Sequence, residues 1–139
     1  MSKRVKGAHA RAAGLFVAGA LTSVGAQAAD TIKVGMDTPL SGTYAPIGKQ
    51  VRWGAELAVK EINAAGGVGG RKFELIFEDE EANPAVAVRK AERLLQQDKV
   101  DLLTGTVSSG STLAVGQVAE RNDRILVTTV SYATSITGA

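Results

Sequence analysis

The residues best suited to chemistry in this sequence are hydroxyls. Ser108, Ser109, Gly110, Ser111 and Thr112 form one run. Leu113, Val115 or Gly116, Val118 and Ala119 follow at helical spacing, so the run opens a helix. A helix start presents unpaired backbone N–H groups at the positive end of the helix dipole, and neighbouring hydroxyls add further donors. Ser109, Gly110 and Ser111 are therefore placed to hold a carboxylate without an arginine. The structural alternative is that Ser109 or Ser111 merely caps the helix. Ser131, Tyr132 and Thr134 follow the fourth apolar segment, and Tyr44 and Ile47 follow the first. These five complete the candidate ligand-contacting set, with the two tyrosines suited to walling an apolar side chain.

Other motifs carry less. Gly66-Gly67-Val68-Gly69-Gly70-Arg71 has the glycine content of a phosphate loop, but it follows a helix, precedes a strand and lacks a closing Gly-Lys-Ser/Thr, so it reads as a helix stop and turn. The acidic run Glu78 to Glu81 lacks the alternating carboxylates and glycine turn of a hard-metal loop and reads as a solvated loop beside a helix start. Trp53, near the start of a helix, reads as a packing residue. No metal or cofactor site is expected. The lone histidine, His9, lies in the N-terminal leader and there are no cysteines. The chain beyond the leader thus has neither the usual general base nor a thiol nucleophile, and no enzyme is expected.

Lys3, Arg4, Lys6 and Arg11 precede an apolar run from Ala12 to Val24 and then Ala26-Gln27-Ala28, the pattern of a secretory signal cleaved after Ala28. The expected division is residues 1–28 as signal peptide and 29–139 as the exported part. The apolar run, about 13 residues, falls short of the roughly 20 needed to span a bilayer. The leader holds four of the 16 Lys and Arg and none of the 14 Asp and Glu, so the formal +2 of the whole sequence becomes slightly negative without it. That balance gives no reason to expect a nucleic-acid partner. An exported chain without cysteine relies on its core alone.

Positioning the hydroxyls requires an ordered set of elements. Ile32 to Met36 is a β-branched strand followed by a loop from Asp37 to Gly48. Val51, Ala55, Ala58, Val59 and Ile62 mark a helix over about Lys49 to Ala65. Lys72 to Glu78 is a second strand, and Asn83-Pro84 pairs a capping side chain with a proline at the first helical position. Val86, Ala87, Ala91, Leu94 and Leu95 form that helix's apolar stripe. Val100 to Leu103 and Ile125 to Val130 read as third and fourth strands. The alternation predicts an α/β fold, a doubly wound parallel sheet with helices on both faces. For strand order 2-1-3-4 a ligand site lies beyond the carboxyl ends of strands one and three. The end at Ala139, just after a strand and polar turn, predicts a truncated sequence.

Ile32-Lys33-Val34-Gly35, Pro39-Leu40-Ser41-Gly42, Gly48, Gly54-Ala55-Glu56-Leu57-Ala58 and Ile62 to Arg71 together resemble the opening of the leucine/isoleucine/valine-binding protein family, the type I periplasmic solute-binding proteins of ABC transporters. Asp79, Asn83-Pro84, Gly105, Ser108 to Thr112 and Ser131 to Thr137 continue the resemblance in order. It implies the incomplete first lobe of a two-lobed periplasmic receptor that closes over a solute, a branched-chain amino acid or related carboxylate, and delivers it to permease subunits of an ABC importer. Contact with the membrane would be only through the permease. The resemblance also implies that Ser109 and the loop after strand four hold the solute carboxylate. Where amino-acid binders often have Ala-Thr, this chain has Ser131-Tyr132-Ala133-Thr134, which is compatible with amides or aromatic acids as solutes. The alternative role is a ligand-sensing domain of the same fold acting in signalling.

Overall fold

The computed structural model describes residues 31–138; the leader and its cleavage site lie outside the described residues. Its elements are β1 (Ile32–Thr38), α1 (Ala45–Ala64), β2 (Phe73–Asp79), α2 (Pro84–Gln96), β3 (Leu102–Thr104), α3 (Ser109–Arg121), β4 (Ile125–Val127) and a 3-10 turn at Thr134–Ile136. The four strands form one parallel sheet in the order β2-β1-β3-β4. This is the expected α/β sheet with its switch point between β1 and β3.

The main core lies between the sheet and the α2–α3 layer, where Ala87, Ala91, Leu94, Val100, Leu103, Val115 and Val118 are buried. Each large aliphatic side chain buried there contributes about 1.5–3 kcal/mol. Gly35 lets α2 approach β1: a Cβ at that position would lie 3.0 Å from Leu103 and Val100 and 3.2 Å from Leu94. Leu113, expected inward, is exposed instead. The inward stripe of α3 is carried by Ser111, Thr112, Val115, Val118 and Ala119, so the first turn of the helix buries hydroxyls rather than an aliphatic chain.

Helix α1 covers the other face alone. It begins at Ala45, four residues before the expected start, with Pro46 in its first turn, where the missing N–H breaks no helical hydrogen bond. Gly48 therefore lies inside the helix, and a Cβ there would lie 1.8 Å from the Pro39 carbonyl oxygen. The helix stops at Gly66 and Gly67, both at positive φ, as the glycine run predicts. Asn63 then fixes the return to the sheet: its Nδ2 donates to the Phe73 carbonyl at 2.8 Å and its Oδ1 accepts the Phe73 N–H at 2.7 Å. Trp53, expected to pack inward, is 63% exposed on the outer side of α1. Between α1 and the sheet runs an apolar groove of about 420 Å³, floored by Val34, Met36, Leu75 and Leu102.

Strand β3 starts two residues later than expected and β4 ends three residues early. β4 pairs only with β3, so its ladder can be no longer than the three residues its neighbour offers. Among the described residues, no helix is long and apolar enough to cross a membrane.

Candidate functional site

The loops after β1, β2, β3 and β4 meet at the carboxyl edge of the sheet, and the hydroxyl run opens α3 there. The N-cap is Ser108, rather than Ser109 or Ser111: its Oγ accepts the Ser111 N–H at 3.1 Å. The Ser108 hydroxyl donates to Ser111 Oγ at 3.0 Å, and the Ser111 hydroxyl donates to Glu80 Oε2 at 2.6 Å. Both hydroxyl protons therefore point inward. Ser111 is buried and its one proton is committed to Glu80, so it cannot also donate to a solute.

Ser109 is left differently. Its Oγ accepts the Ala133 N–H at 3.3 Å, which joins the start of α3 to the loop after β4 and leaves the hydroxyl proton available. At the first two positions of α3, the N–H groups of Ser109 and Gly110 precede the first helical hydrogen bonds. Gly110 packs against α2, with a would-be Cβ 3.3 Å from Pro84 Cγ. One hydroxyl and two amides thus converge at the positive end of a 13-residue helix.

Ser131 sits alongside through a shared network. Its hydroxyl is hydrogen-bonded to that of Thr112 and also donates to the Val107 carbonyl at 3.3 Å. Thr112 Oγ1 in turn contacts Thr106 Oγ1 at 2.9 Å and the Ser108 carbonyl at 3.0 Å. Thr134 opens the 3-10 turn, and Tyr132 is 87% exposed, so neither belongs to this packed network. Tyr44 precedes α1 and Ile47 lies in its first turn; both are exposed on the same edge of the sheet. Thr106, at the start of the loop after β3, is fully buried.

The acidic run is not a solvated loop. Glu78 lies in β2 and pairs with Lys90 at 2.6 Å and Arg93 at 3.1 Å. Asp79 Oδ1 accepts the N–H groups of Leu40, Ser41 and Glu81 at 2.8, 3.4 and 3.1 Å. Partial burial pushes the Asp79 carboxyl up, but the Ser41 hydroxyl and these three amides outweigh it and hold the group below the ordinary carboxylate range. Glu80 is fully buried, with Oε1 unpartnered. Burial, with the charge of Asp79, raises its pKa against the pull of hydrogen bonds from the Ser111 hydroxyl and the Val107 backbone.

Asp37, at the end of β1, is also fully buried, and neither carboxylate oxygen has a partner. Burial, then the nearby charges of Glu80 and Glu78, push its pKa up to about 8. The sequence reading put Asp37 at the start of the loop after the first strand, but β1 runs two residues further, to Thr38, and takes it into the sheet. The signal for Glu80 was weak, because an acidic run usually marks a solvated surface. Among the described residues no group of acidic or histidine side chains could hold a metal.

The larger hollows lie elsewhere. One of about 530 Å³ lies between α3 and β4, lined by Thr112, Gly116, Leu126 and Ile136, and the other is the groove under α1. The serine cluster itself stands at an open edge.

Residues 31–139 match the family model described as periplasmic binding protein. A leucine-, isoleucine-, valine-, threonine- and alanine-binding protein of Pseudomonas aeruginosa is 36% identical over 110 residues, 79% of this chain and 29% of that protein. A Leu/Ile/Val-binding protein homolog of Brucella suis is 42% identical over 101 residues, 73% of this chain and 25% of that protein. Among solved structures, the branched-chain amino acid transporter substrate binding protein of Streptococcus pneumoniae, in complex with isoleucine, superposes with a TM-score of 0.74 at 34% identity, covering 77% of this chain and 31% of that one. An ABC transporter solute binding protein of Rhodopseudomonas palustris, in complex with 3,4-dihydroxybenzoic acid, gives 0.72 at 30% identity, covering 77% and 29%. The chain therefore spans between a quarter and a third of the length of these relatives.

Proposed function

The chain belongs to the periplasmic binding protein family, and on that premise we propose that it forms one wall of an exported solute receptor, serving an ABC importer of branched-chain amino acids or related carboxylates. The observation that carries this reading is the donor set at the start of α3. The Ser109 hydroxyl and the Ser109 and Gly110 amides face the carboxyl edge of the sheet, while the Ser108 and Ser111 protons are turned inward. Such a set favours an anion of carboxylate size.

Export rests on the basic, apolar and small-residue sequence of residues 1–28, which reads as a cleaved signal and places residues 29–139 in the periplasm. The solute would pass to permease subunits. No chemical step is proposed: the relatives named above are binding proteins, and the site offers donors without a nucleophile and base pair.

A second reading concerns the solute. Tyr132 stands exposed within the loop that reaches Ser109 through Ala133, and an aromatic ring there suits an aromatic acid as well as an aliphatic chain. The Rhodopseudomonas palustris neighbour is in complex with such an acid. Thermal melting against leucine, isoleucine, valine, other amino acids, short amides and hydroxybenzoates separates the two, because a ligand of the folded state raises the midpoint. A shift with aliphatic amino acids supports the amino-acid receptor. A shift with hydroxybenzoates alone replaces the solute class, and no shift with any carboxylate overturns the site.

A further inference from the structure

Strands β3 and β4 end their ladder at the pair Thr104 and Val127. Past it, among the described residues, no backbone-to-backbone hydrogen bond joins the two chains. Hydroxyls hold them together instead. Thr104 Oγ1 donates to the Val127 carbonyl at 2.7 Å, Thr129 Oγ1 to the Thr106 carbonyl at 3.5 Å and Ser131 Oγ to the Val107 carbonyl at 3.3 Å. The Ala133 N–H then donates to Ser109 Oγ at 3.3 Å. Residues 127, 129, 131 and 133 alternate as they would along a strand, but each link contains a side-chain hydroxyl. The last link is the one that reaches the candidate site.

The Ser131 link is anchored in the interior. Its Oγ is hydrogen-bonded to Oγ1 of Thr112, which is only 1% exposed in the first turn of α3. Thr112 Oγ1 also meets Oγ1 of the fully buried Thr106 at 2.9 Å and the Ser108 carbonyl at 3.0 Å. A hydroxyl carries one proton. The partners of Thr112 and Ser131 all lie within this cluster, so both protons are used there and neither is left for a solute. We propose that Thr112 is a positioning residue of the Ser109 site: its buried hydroxyl holds Ser131 and, through Ser131, fixes the loop after β4 so that Ala133 meets Ser109. The inference rests on the anion-binding reading given above, and it makes Ser131 an anchor of the loop rather than a solute donor. Without the Thr112 hydroxyl, Ser131 keeps only its 3.3 Å bond to the Val107 carbonyl.

The experiment has two parts. Amide exchange of the ligand-free full chain is first followed by nuclear magnetic resonance. Thr112→Val keeps the branched shape and removes the hydroxyl. Exchange at Ala133 is expected to quicken about three- to tenfold, the effect of one hydrogen bond on a local opening, with the Val115 and Val118 amides of α3 unchanged. Ser131→Ala is expected to do the same, and Thr112→Ser to restore the original rate. An unchanged Ala133 rate in Ser131→Ala overturns the proposal even if Thr112→Val does not fold. Quickening in Ser131→Ala but not in Thr112→Val overturns it too, because the Val107 carbonyl then suffices. Equal loosening of α3 and Ala133 in Thr112→Val, or no rescue by Thr112→Ser, shows a general packing role and likewise overturns it. Isoleucine and 4-hydroxybenzoate are then titrated calorimetrically. Affinity for whichever binds is expected to fall about three- to tenfold in each variant that loosens Ala133, and the double variant should fall no further. Full affinity with Ala133 loosened overturns the positioning role. If Ala133 loosens selectively and neither solute binds the unaltered chain, the anion-site reading fails while the tie stands.

Discussion

The Ser111 hydroxyl donates to the Glu80 carboxylate across 2.6 Å, joining the first turn of α3 to the loop after β2, 31 residues earlier. This contact decides what the serine run does. It turns one serine into a structural tie and leaves another to face outward, although the two look equivalent in the sequence. Ser111→Ala removes the donor from a buried carboxylate, and the expected loss is about 1.5–3 kcal/mol, the usual range for a hydrogen bond to a charged group. Urea denaturation measures it, and the loss should shrink as the pH falls and Glu80 takes up a proton.

Asp37 makes stability depend on pH in the direction opposite to a salt-bridged acid. Its folded pKa of about 8 lies above the ordinary aspartate value of 3.8, so the folded chain holds the proton more tightly than the unfolded chain does. Its contribution is therefore fully present below about pH 4 and is lost as the pH rises to about 8. Asp37→Asn should flatten the profile over that window, as read by denaturation midpoints at pH 5 and pH 8.5.

Asp79 works the other way. Its folded pKa is depressed by the Ser41 hydroxyl and three backbone amides, against partial burial, so its contribution is present above the ordinary aspartate range and is lost as the pH falls through the folded value. Asp79→Ala should free the turn after β1. Faster amide exchange at Leu40, Ser41 and Glu81, with the β1 amides unchanged, is the expected signature.

Ser109→Ala removes the outward hydroxyl at the start of α3. In a receptor that binds a carboxylate there, affinity should drop by about 1–3 kcal/mol, measured calorimetrically with the solute that raises the melting midpoint. Unchanged affinity would remove Ser109 from the site.

Gly48→Ala tests the early start of α1. The added methyl meets the Pro39 carbonyl oxygen at 1.8 Å, so α1 must move away from the loop that follows β1. Overpacking of this kind costs about 1–3 kcal/mol. Gly54→Ala, in the same helix with nothing within 4 Å, should instead stabilise by up to about 1 kcal/mol. The pair of thermal midpoints separates crowding from helix propensity.

By itself the sequence determined the element order, the parallel sheet and the edge at which the hydroxyls gather, because these follow from local periodicity, from Asn83-Pro84 and the glycine stop after α1, and from the handedness of crossovers. Only the tertiary structure decided the direction of each hydroxyl proton. Ser108, Ser109 and Ser111 have the same chemistry, and what distinguishes them is whether Glu80 or the Ala133 amide lies opposite. The same holds for the acidic run, of whose four carboxylates those at 78, 79 and 80 go to three different places: the α2 cations, the turn after β1 and the Ser111 hydroxyl. It holds also for Trp53, because helical spacing tells which residues share a face of α1 but not which of those faces the sheet covers.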